Sequence, residues 1–221
     1  TDLASLLDAL GMPLAFSVSP AIANTRLLYS INMPPPKKKL FLVDAMAHIY
    51  RAFYAPMVRM NTSAGVPTTV PFLFNNILRR ILKDYQPDYV GIVFDTSKPT
   101  FRDKLFEEYK AHRPKMPDEL SIQLPFVRRL CEAMRLPILE LDGYEADDVL
   151  GALSRQATKE NLDVVLVTND KDMLQLVGDG VSVLRTATSA AQSHVLVDEK
   201  KGEEILGVTP CQMDAVVAPV G

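Results

Sequence analysis

The stretch DVVLVTND, residues 163–170, sets four apolar side chains in a row and then turns polar. Three of those four residues are valine, so the run is typical of a strand that is buried on both faces. The segments KLFLVD (39–44) and DYVGIVFD (88–95) have the same character, and each also ends in an aspartate. We therefore expect three short parallel strands followed by carboxylates.

Helical periodicity fills the segments between and around these strands. Three of them repeat apolar side chains at helical spacing: residues 72–85, 122–134 and 145–153. In the second, Phe126, Leu130 and Met134 lie four apart and predict its buried face. Strands that alternate with helices predict an α/β fold, with a mostly parallel central sheet and helices on both faces.

The composition is that of an ordinary globular domain. Of 221 residues, 48% are hydrophobic and 23% are charged, and the net charge is −3, so a nucleic acid would need a local basic patch. No apolar run reaches the ~18 residues of a membrane span. The apolar start contains Asp2 and Asp8 and no early lysine or arginine, which argues against export. With two cysteines at no metal-ligand spacing, we expect reduced thiols and a cytoplasmic location.

Acidic residues gather around the predicted strand ends. Asp44, Asp95 and Asp170 follow the three strands, whose carboxyl ends meet at one edge of a parallel sheet. The GYEADD motif (143–148) places three more carboxylates at the start of a helix, and Asp172 follows Asp170 closely. Each residue alone fits a turn or the positive end of a helix dipole. Together, like charges at close range must take up protons or bind cations.

The donors at this edge indicate a hard divalent ion. A site built from oxygen atoms suits Mg²⁺ or Mn²⁺ and disfavours Zn²⁺. The histidines His48, His112 and His194 have no partner at ligand spacing, and we assign each to the surface or to packing. Mg²⁺ keeps bound waters and neutralises phosphate oxygens, so phosphoryl-transfer chemistry follows as a hypothesis.

A basic and aromatic segment, residues 98–120, lies between the second and third strands. Its lysines and arginines alternate with phenylalanine and tyrosine, a composition that suits phosphates and stacked bases. Over residues 102–119, however, five positive charges balance five negative ones, which also fits a solvated helix with ion pairs. Lys110 and Arg113 lie three apart on one helical face beside Tyr109, which favours DNA binding.

Arg51 is a second basic candidate. It follows Asp44 by seven residues, about two turns along the same face of a helix. From there its side chain could reach a phosphate near the metals. A surface ion pair is the alternative role.

Four motifs resemble, in order and spacing, the 5′-nuclease domain of bacterial DNA polymerase I, in the flap endonuclease superfamily. They are LFLVDAMAHIYRAFYA (40–55), GIVFDTSKPTFRDKLFEEYKAHRP (91–114), GYEADDVLGAL (143–153) and VTNDKDMLQLV (167–177). The resemblance implies a PIN-like α/β fold with a helical arch or flexible loop at residues 101–117. It also implies hydrolysis of phosphodiesters at DNA 5′ ends and 5′ flaps in replication and repair. Two Mg²⁺ ions, with Mn²⁺ as a substitute, would be the cofactors.

The resemblance also assigns roles to residues. Those that match the family's metal site are Asp44, Asp95, Glu145, Asp147, Asp148, Asp170 and Asp172, and for Asp95 the role is metal binding or support. The matches to basic positions at the scissile phosphate are Arg51, Lys110 and Arg113. The expected DNA-binding residues are Arg51, Arg102, Tyr109, Lys110 and Arg113.

The resemblance divides the chain into two parts. We expect residues 1–38 to be an N-terminal extension with a Pro/Lys linker, matched by nothing in the family. Residues 39–221 would be the 5′-nuclease domain without its C-terminal helix-hairpin-helix part. The family's next aspartate-rich motif would begin at Gly221, so we expect a truncated piece of a longer polymerase chain. DNA with 5′ ends or flaps is the expected partner of a monomer that binds no membrane.

Two other functions remain open. A structure-specific nucleic-acid-binding module without catalysis would fit a second metal site that is incomplete in this sequence. A phosphatase, or a receiver domain phosphorylated after its first strand, would use the same sheet edge. That reading is weakened because Asp44 is followed by Ala-Met-Ala rather than by a second aspartate, and because such chemistry does not require EADD.

Overall fold

The computed structural model of the protein describes residues 36–105, 115–187, 193–207 and 209–210. Within these residues, six strands form one sheet. The strands are β1 (Lys39–Asp44), β2 (Tyr89–Val93), β3 (Ile138–Leu139), β4 (Asp163–Val167), β5 (Val181–Arg185) and β6 (Val195–Val197). The helices are α1 (Ala45–Phe53), α2 (Thr69–Tyr85), α3 (Phe101–Leu105), α4 (Asp118–Ala133), α5 (Ala146–Lys159) and α6 (Glu199–Leu206), with a 3₁₀ helix over Asp172–Leu176.

The strand order is β3-β2-β1-β4-β5-β6, with β6 antiparallel and all other neighbours parallel. Near the carboxyl end of β1, Val43 is paired with Ile92 of β2 on one side and with Val167 of β4 on the other. The chain builds outward from β1 through β2 and β3, and then crosses to build β4 and β5 on the other side. Ligands of such sheets bind outside the carboxyl ends of the strands, where the order reverses. The crevice between β1 and β4 is that position here.

Both faces of the sheet are covered. Alternate residues of a strand point to opposite faces, and in β1 the side chain of Phe41 packs on one hydrophobic cluster and that of Leu42 on the other. The first cluster includes residues of α1, α2 and α4, and the second includes residues of α5 and the 3₁₀ helix. The apolar runs in the sequence are continuous because each strand faces helices on two sides.

The expected α/β fold, with a mostly parallel sheet and helices on both faces, is confirmed. Two strands are shorter than their apolar segments, because β2 ends at Val93 and β4 at Val167. Asp95 and Asp170 therefore lie in the loops beyond the strands rather than at their last positions. Cys131 lies in the buried stripe of α4 and is a free thiol, as expected.

Parts of the sequence interpretation fall on residues that the structure does not describe. They include the N-terminal extension up to residue 35 and residues 106–114, which form the middle of the expected arch. The described part of that segment begins as the short helix α3. None of the helices in the described ranges has the length and apolar character needed to cross a bilayer.

Candidate metal centre at the carboxyl edge of the sheet

Asp44 anchors the candidate site at the end of β1. Its Oδ1 accepts a hydrogen bond from the backbone N–H of Ala47 at 3.0 Å and so caps α1. Its Oδ2 accepts from the Thr168 hydroxyl at 2.9 Å. The same hydroxyl oxygen accepts from the backbone N–H of Asp170 at 3.1 Å, so Thr168 ties the loop after β4 to Asp44. Asp44 is buried, and its position is fixed by two elements of the switch point.

A second group of carboxylates surrounds the first turn of α5. The Oδ1 atom of Asp95, beyond β2, accepts from the backbone N–H of Ala146 at 2.7 Å. The backbone N–H of Glu145 in turn donates to Oδ2 of Asp148 at 3.1 Å, part of a capping box. These bonds satisfy helix-terminal donors and hold α5 with its acidic first turn at the carboxyl edge of the sheet.

The electrostatics show that these carboxylates lie close together. The pKa of Asp147 is raised to about 7, first by desolvation and then by the charges of Asp44, Asp170, Asp95 and Glu145. The pKa of Asp44 is raised as well, first by burial and then by the charges of Asp95 and Asp170. Carboxylates from four separate segments therefore repel one another at one edge of the sheet.

Arg102, which the sequence predicts as a DNA-binding residue, is paired with a carboxylate of this edge. Its two terminal nitrogens donate to both carboxylate oxygens of Asp148, at 2.6 and 2.8 Å. It also lies 3.8 Å from Glu145. A bidentate arginine–carboxylate pair is a strong interaction, so Asp148 has a protein cation as a partner, and Arg102 lies at the acidic edge itself.

The other predicted site residues lie farther from the carboxylates around Asp147, or fall outside the described part of the chain. Asp172 is exposed at the start of the 3₁₀ helix, where its backbone N–H donates to Asp170 Oδ1 at 2.9 Å. It is not among the charges that raise the pKa of Asp147. Three candidates fall outside the described residues: Tyr109, Lys110 and Arg113. Arg51 lies near the end of β5, where its Nη1 donates to the carbonyl and the hydroxyl of Thr186.

The chemistry of this edge fits a hydrated hard cation. Within the described residues, no three side chains of histidine, cysteine, aspartate or glutamate are already arranged to enclose an ion. Mg²⁺ is commonly bound by one or two carboxylates while it keeps several waters. The repulsion that raises the pKa of Asp147 is relieved when a divalent cation neutralises the group.

Sequence reasoning missed the residues that hold the candidate ligands. Thr168 and Thr186 are both buried, although threonine after a strand gives no signal beyond that of a turn. His48, assigned to the surface or to packing, is fully buried with Nε2 at 3.1 Å from the carbonyl oxygen of Val167. Its position one turn after Asp44 was the available signal for a role near the site.

Substitution of Asp95 will separate support from metal binding. We expect Asp95→Ala to lower the cleavage rate roughly tenfold, because it removes one hydrogen bond at the start of α5. We expect a smaller loss for Asp95→Asn, because its amide oxygen can still accept from Ala146. Single-turnover cleavage of 5′-flap DNA measures both. A loss for Asp95→Asn as large as that for Asp147→Asn would assign Asp95 to the metal instead.

His48 predicts a specific loss of stability in acid. Burial lowers its pKa to about 4, whereas the unfolded chain titrates near 6.5, so the unfolded state binds the proton first as the pH falls. The contribution of neutral His48 to the free energy of unfolding is about 3 kcal/mol. It is fully present above pH 6.5 and is lost as the pH falls to 4. Urea unfolding at pH 7.5 and 4.5 measures this loss: the free energy of unfolding should fall more between the two pH values for the wild type than for His48→Gln. Equal drops would contradict the assignment.

The strand order and the acidic edge at its switch point define the chain as a doubly wound α/β domain with a candidate site for divalent cations. A family model described as "5′-3′ exonuclease, N-terminal resolvase-like domain" matches residues 39–207. This match spans more than half of the 221 residues. The chain therefore belongs to this 5′-3′ exonuclease family, and the expected family is confirmed.

Its relatives include both polymerases and separate exonucleases. The chain is 46% identical over 145 residues to DNA polymerase I of Chloroflexus aurantiacus, a match that covers 65% of this chain and 15% of the relative. It is 34% identical over 184 residues to a 5′-3′ exonuclease of Aquifex aeolicus, which covers 83% of this chain and 62% of the relative. The chain thus spans less than two thirds of either relative.

Solved structures share the fold. A T5 protein co-crystallised with metal ions has a TM-score of 0.65 at 19% identity, over 83% of this chain and 67% of that chain. A complex of a bacteriophage T5 flap endonuclease with DNA and metal ions has a TM-score of 0.57 at 20% identity, over 77% of this chain and 61% of that chain. These similarities show that the chain shares the α/β fold of these two proteins.

Proposed function

We propose that the protein hydrolyses phosphodiesters at DNA 5′ ends and 5′ flaps, as the 5′-nuclease part of a DNA polymerase I-like protein in replication and repair. One observation carries the proposal: carboxylates from four segments of the chain converge at the switch point of the sheet, where desolvation and then their charges raise the pKa of Asp147. Family membership over residues 39–207 supports the same reaction class. DNA as the substrate also implies a location in the bacterial cytoplasm.

We propose two Mg²⁺ ions, replaceable by Mn²⁺, as the cofactors. When bound, they would supply a metal-activated water and neutralise charge on the phosphate that is cleaved. Seven residues are the candidates to hold them or their waters: Asp44, Asp95, Glu145, Asp147, Asp148, Asp170 and Asp172. Among these, Asp44 and Asp95 are also fixed by hydrogen bonds to helix N-termini, so they keep the edge in shape.

The basic residues would bind and orient the DNA. Arg51, which is held at Thr186, and Arg102, which is held at Asp148, would contact phosphates on either side of the scissile bond. Arg102 would leave Asp148 for a phosphate when a metal takes over the neutralisation of that carboxylate. The remaining proposed contacts are Tyr109, Lys110 and Arg113. The protein would act as a monomer.

The test is cleavage of labelled DNA by the 221-residue chain and by a version extended with the relatives' next segment. Mg²⁺-dependent release of the 5′ flap, with an otherwise identical 3′-flap substrate left intact, would support the proposal. Absence of product from the extended chain would contradict it. Flap binding without any product in either chain would favour the alternative function, a binding module without catalysis.

A further inference from the structure

Thr186, at the end of β5, is the centre of a buried polar cluster that the proposed reaction does not yet explain. Its side chain is 5% exposed. Its Oγ1 lies 2.8 Å from Arg51 Nη1, 3.1 Å from Asn169 Nδ2 and 3.5 Å from His48 Nδ1. Its carbonyl oxygen lies 2.6 Å from the same nitrogen of Arg51. One threonine therefore binds Arg51 twice.

The direction of each hydrogen bond follows from the chemistry of the partners. His48 Nε2 lies 3.1 Å from the carbonyl oxygen of Val167, which can only accept, so Nε2 carries the ring proton. Burial keeps this imidazole neutral, which leaves Nδ1 as an acceptor. The Thr186 hydroxyl donates to Nδ1 and accepts from the nitrogens of Arg51 and Asn169. Its hydrogen and its lone pairs are thus all assigned.

The two hydrogen bonds from Arg51 Nη1 to Thr186, here called the Arg51 clamp, oppose the effect of the surroundings on this side chain. It is half-buried, and its pKa is lowered first by desolvation and then by the charge of Arg185. Two guanidinium groups repel each other, so Arg51 would turn away from Arg185 unless acceptors held it. A guanidinium is planar, and fixing one terminal nitrogen at two acceptors limits the rotation of the whole group.

The clamp is also connected to the candidate metal centre. Asn169 lies between Thr168, which holds Asp44, and Asp170. Its side chain donates to Thr186. The loop after β4 therefore holds the carboxylate of Asp44 through Thr168 and the Arg51 clamp through Asn169. Movement of that loop would shift both charges together.

We propose that Thr186 is a positioning residue for the nuclease reaction: it holds the guanidinium of Arg51 in the orientation that binds the phosphate of the DNA. This inference rests on the proposed function. Thr186 itself does not touch the DNA or the metal. Its contribution passes entirely through Arg51, which distinguishes it from a threonine that only packs the end of β5.

The test is a double-mutant cycle in the full chain with 5′-flap DNA. Thr186→Val keeps the shape and removes the hydroxyl, and we expect roughly a tenfold lower DNA affinity and single-turnover rate. Thr186→Ser keeps the hydroxyl and should restore both to within about threefold of the wild type. In an Arg51→Met background, Thr186→Val should cause no further loss. Thr158→Val, which removes an exposed threonine hydroxyl on α5, is the matched control and should leave both values unchanged.

DNA affinity is measured in Ca²⁺, without turnover. The double-mutant cycle therefore gives a result for affinity even if no variant cleaves the DNA. Lack of cleavage by the wild type would count against the proposed function, whereas additive losses in the two substitutions would overturn the clamp. An unchanged Thr186→Val would overturn it as well. If the valine variant does not fold, Asn169→Ala replaces it. This change removes the donor that holds the Thr186 hydroxyl, and it must also lose its effect in the Arg51→Met background.

Discussion

Asp147→Asn is expected to abolish cleavage while it stabilises the metal-free protein. The loss of a carboxylate from a divalent-metal site removes several kcal/mol of transition-state stabilisation, which corresponds to a rate roughly a thousandfold lower. The fold gains because the pKa of Asp147 is about 7 in the folded protein. Above that pH the folded state must hold a charge that desolvation and four other carboxylates disfavour, whereas the carboxyl group in the unfolded chain ionises near 3.8.

The stability gain should therefore appear at pH 8 and fade as the pH falls toward 4. Desolvation is the largest cause of the raised pKa of Asp147, yet this residue is exposed to solvent. Screening by solvent therefore reduces the expected gain in the free energy of unfolding to about 1–2 kcal/mol. Urea unfolding in chelator at pH 8 and pH 5 measures it. Asp163→Asn, at the opposite end of β4, is the matched control and should change neither cleavage nor this pH dependence. A variant that loses activity and stability together would contradict the electrostatic argument.

Removal of divalent ions is expected to lower the cleavage rate by at least ~10⁴-fold, and Mg²⁺ should restore it fully. The same addition should stabilise the fold, because a ligand that binds the native state alone adds about 2.7 kcal/mol at a hundred times its dissociation constant. Thermal unfolding at pH 8, with and without Mg²⁺, measures the second effect. The expected shift is upward because the ion neutralises the repelling carboxylates.

Two comparisons separate site binding from general screening. A NaCl solution of equal ionic strength should reproduce little of the stabilisation, because the carboxylates are close together and partly desolvated. Asp147→Asn should respond less to Mg²⁺ than the wild type. Equal stabilisation by NaCl, or an equal response of the variant, would mean that Mg²⁺ acts by screening alone.

The features of the fold that depend on strong periodicity could be predicted from the sequence. β1, β2 and β4 are central strands, buried on two faces, and their apolar runs are unmistakable. β3 has two residues and β6 has three, too short for any period to develop. The predicted face of α4 was only partly right: Leu130 and Met134 pack against the core as half-buried residues, but the fully buried positions are Val127 and Cys131. Pro125 and two arginines interrupt the apolar pattern there and obscure its phase.

The site was predictable as a set of charges but not as a set of contacts. Strand ends and the EADD motif located the acidic edge, since carboxylates after parallel strands converge by topology. The pairing of Arg102 with Asp148 was not predictable, because the two residues are brought together by folding of a segment whose charge count was balanced. The Thr186 cluster depends on β5, which sequence periodicity did not indicate.

The central pairing of the sheet joins residues that are far apart in the chain. Leu42 of β1 is paired with Leu166 of β4, more than 120 positions later. At a synthesis rate of about 5–20 residues per second, roughly 6 to 25 s pass on the ribosome between the two strands. During that interval one edge of β1 has no partner, and Asp44 lacks the loop that contains Thr168. The acidic edge is thus completed only when the loop after β4 has been made, by which time the helices α1, α2 and α4 that pack in the first hydrophobic cluster have already been synthesised.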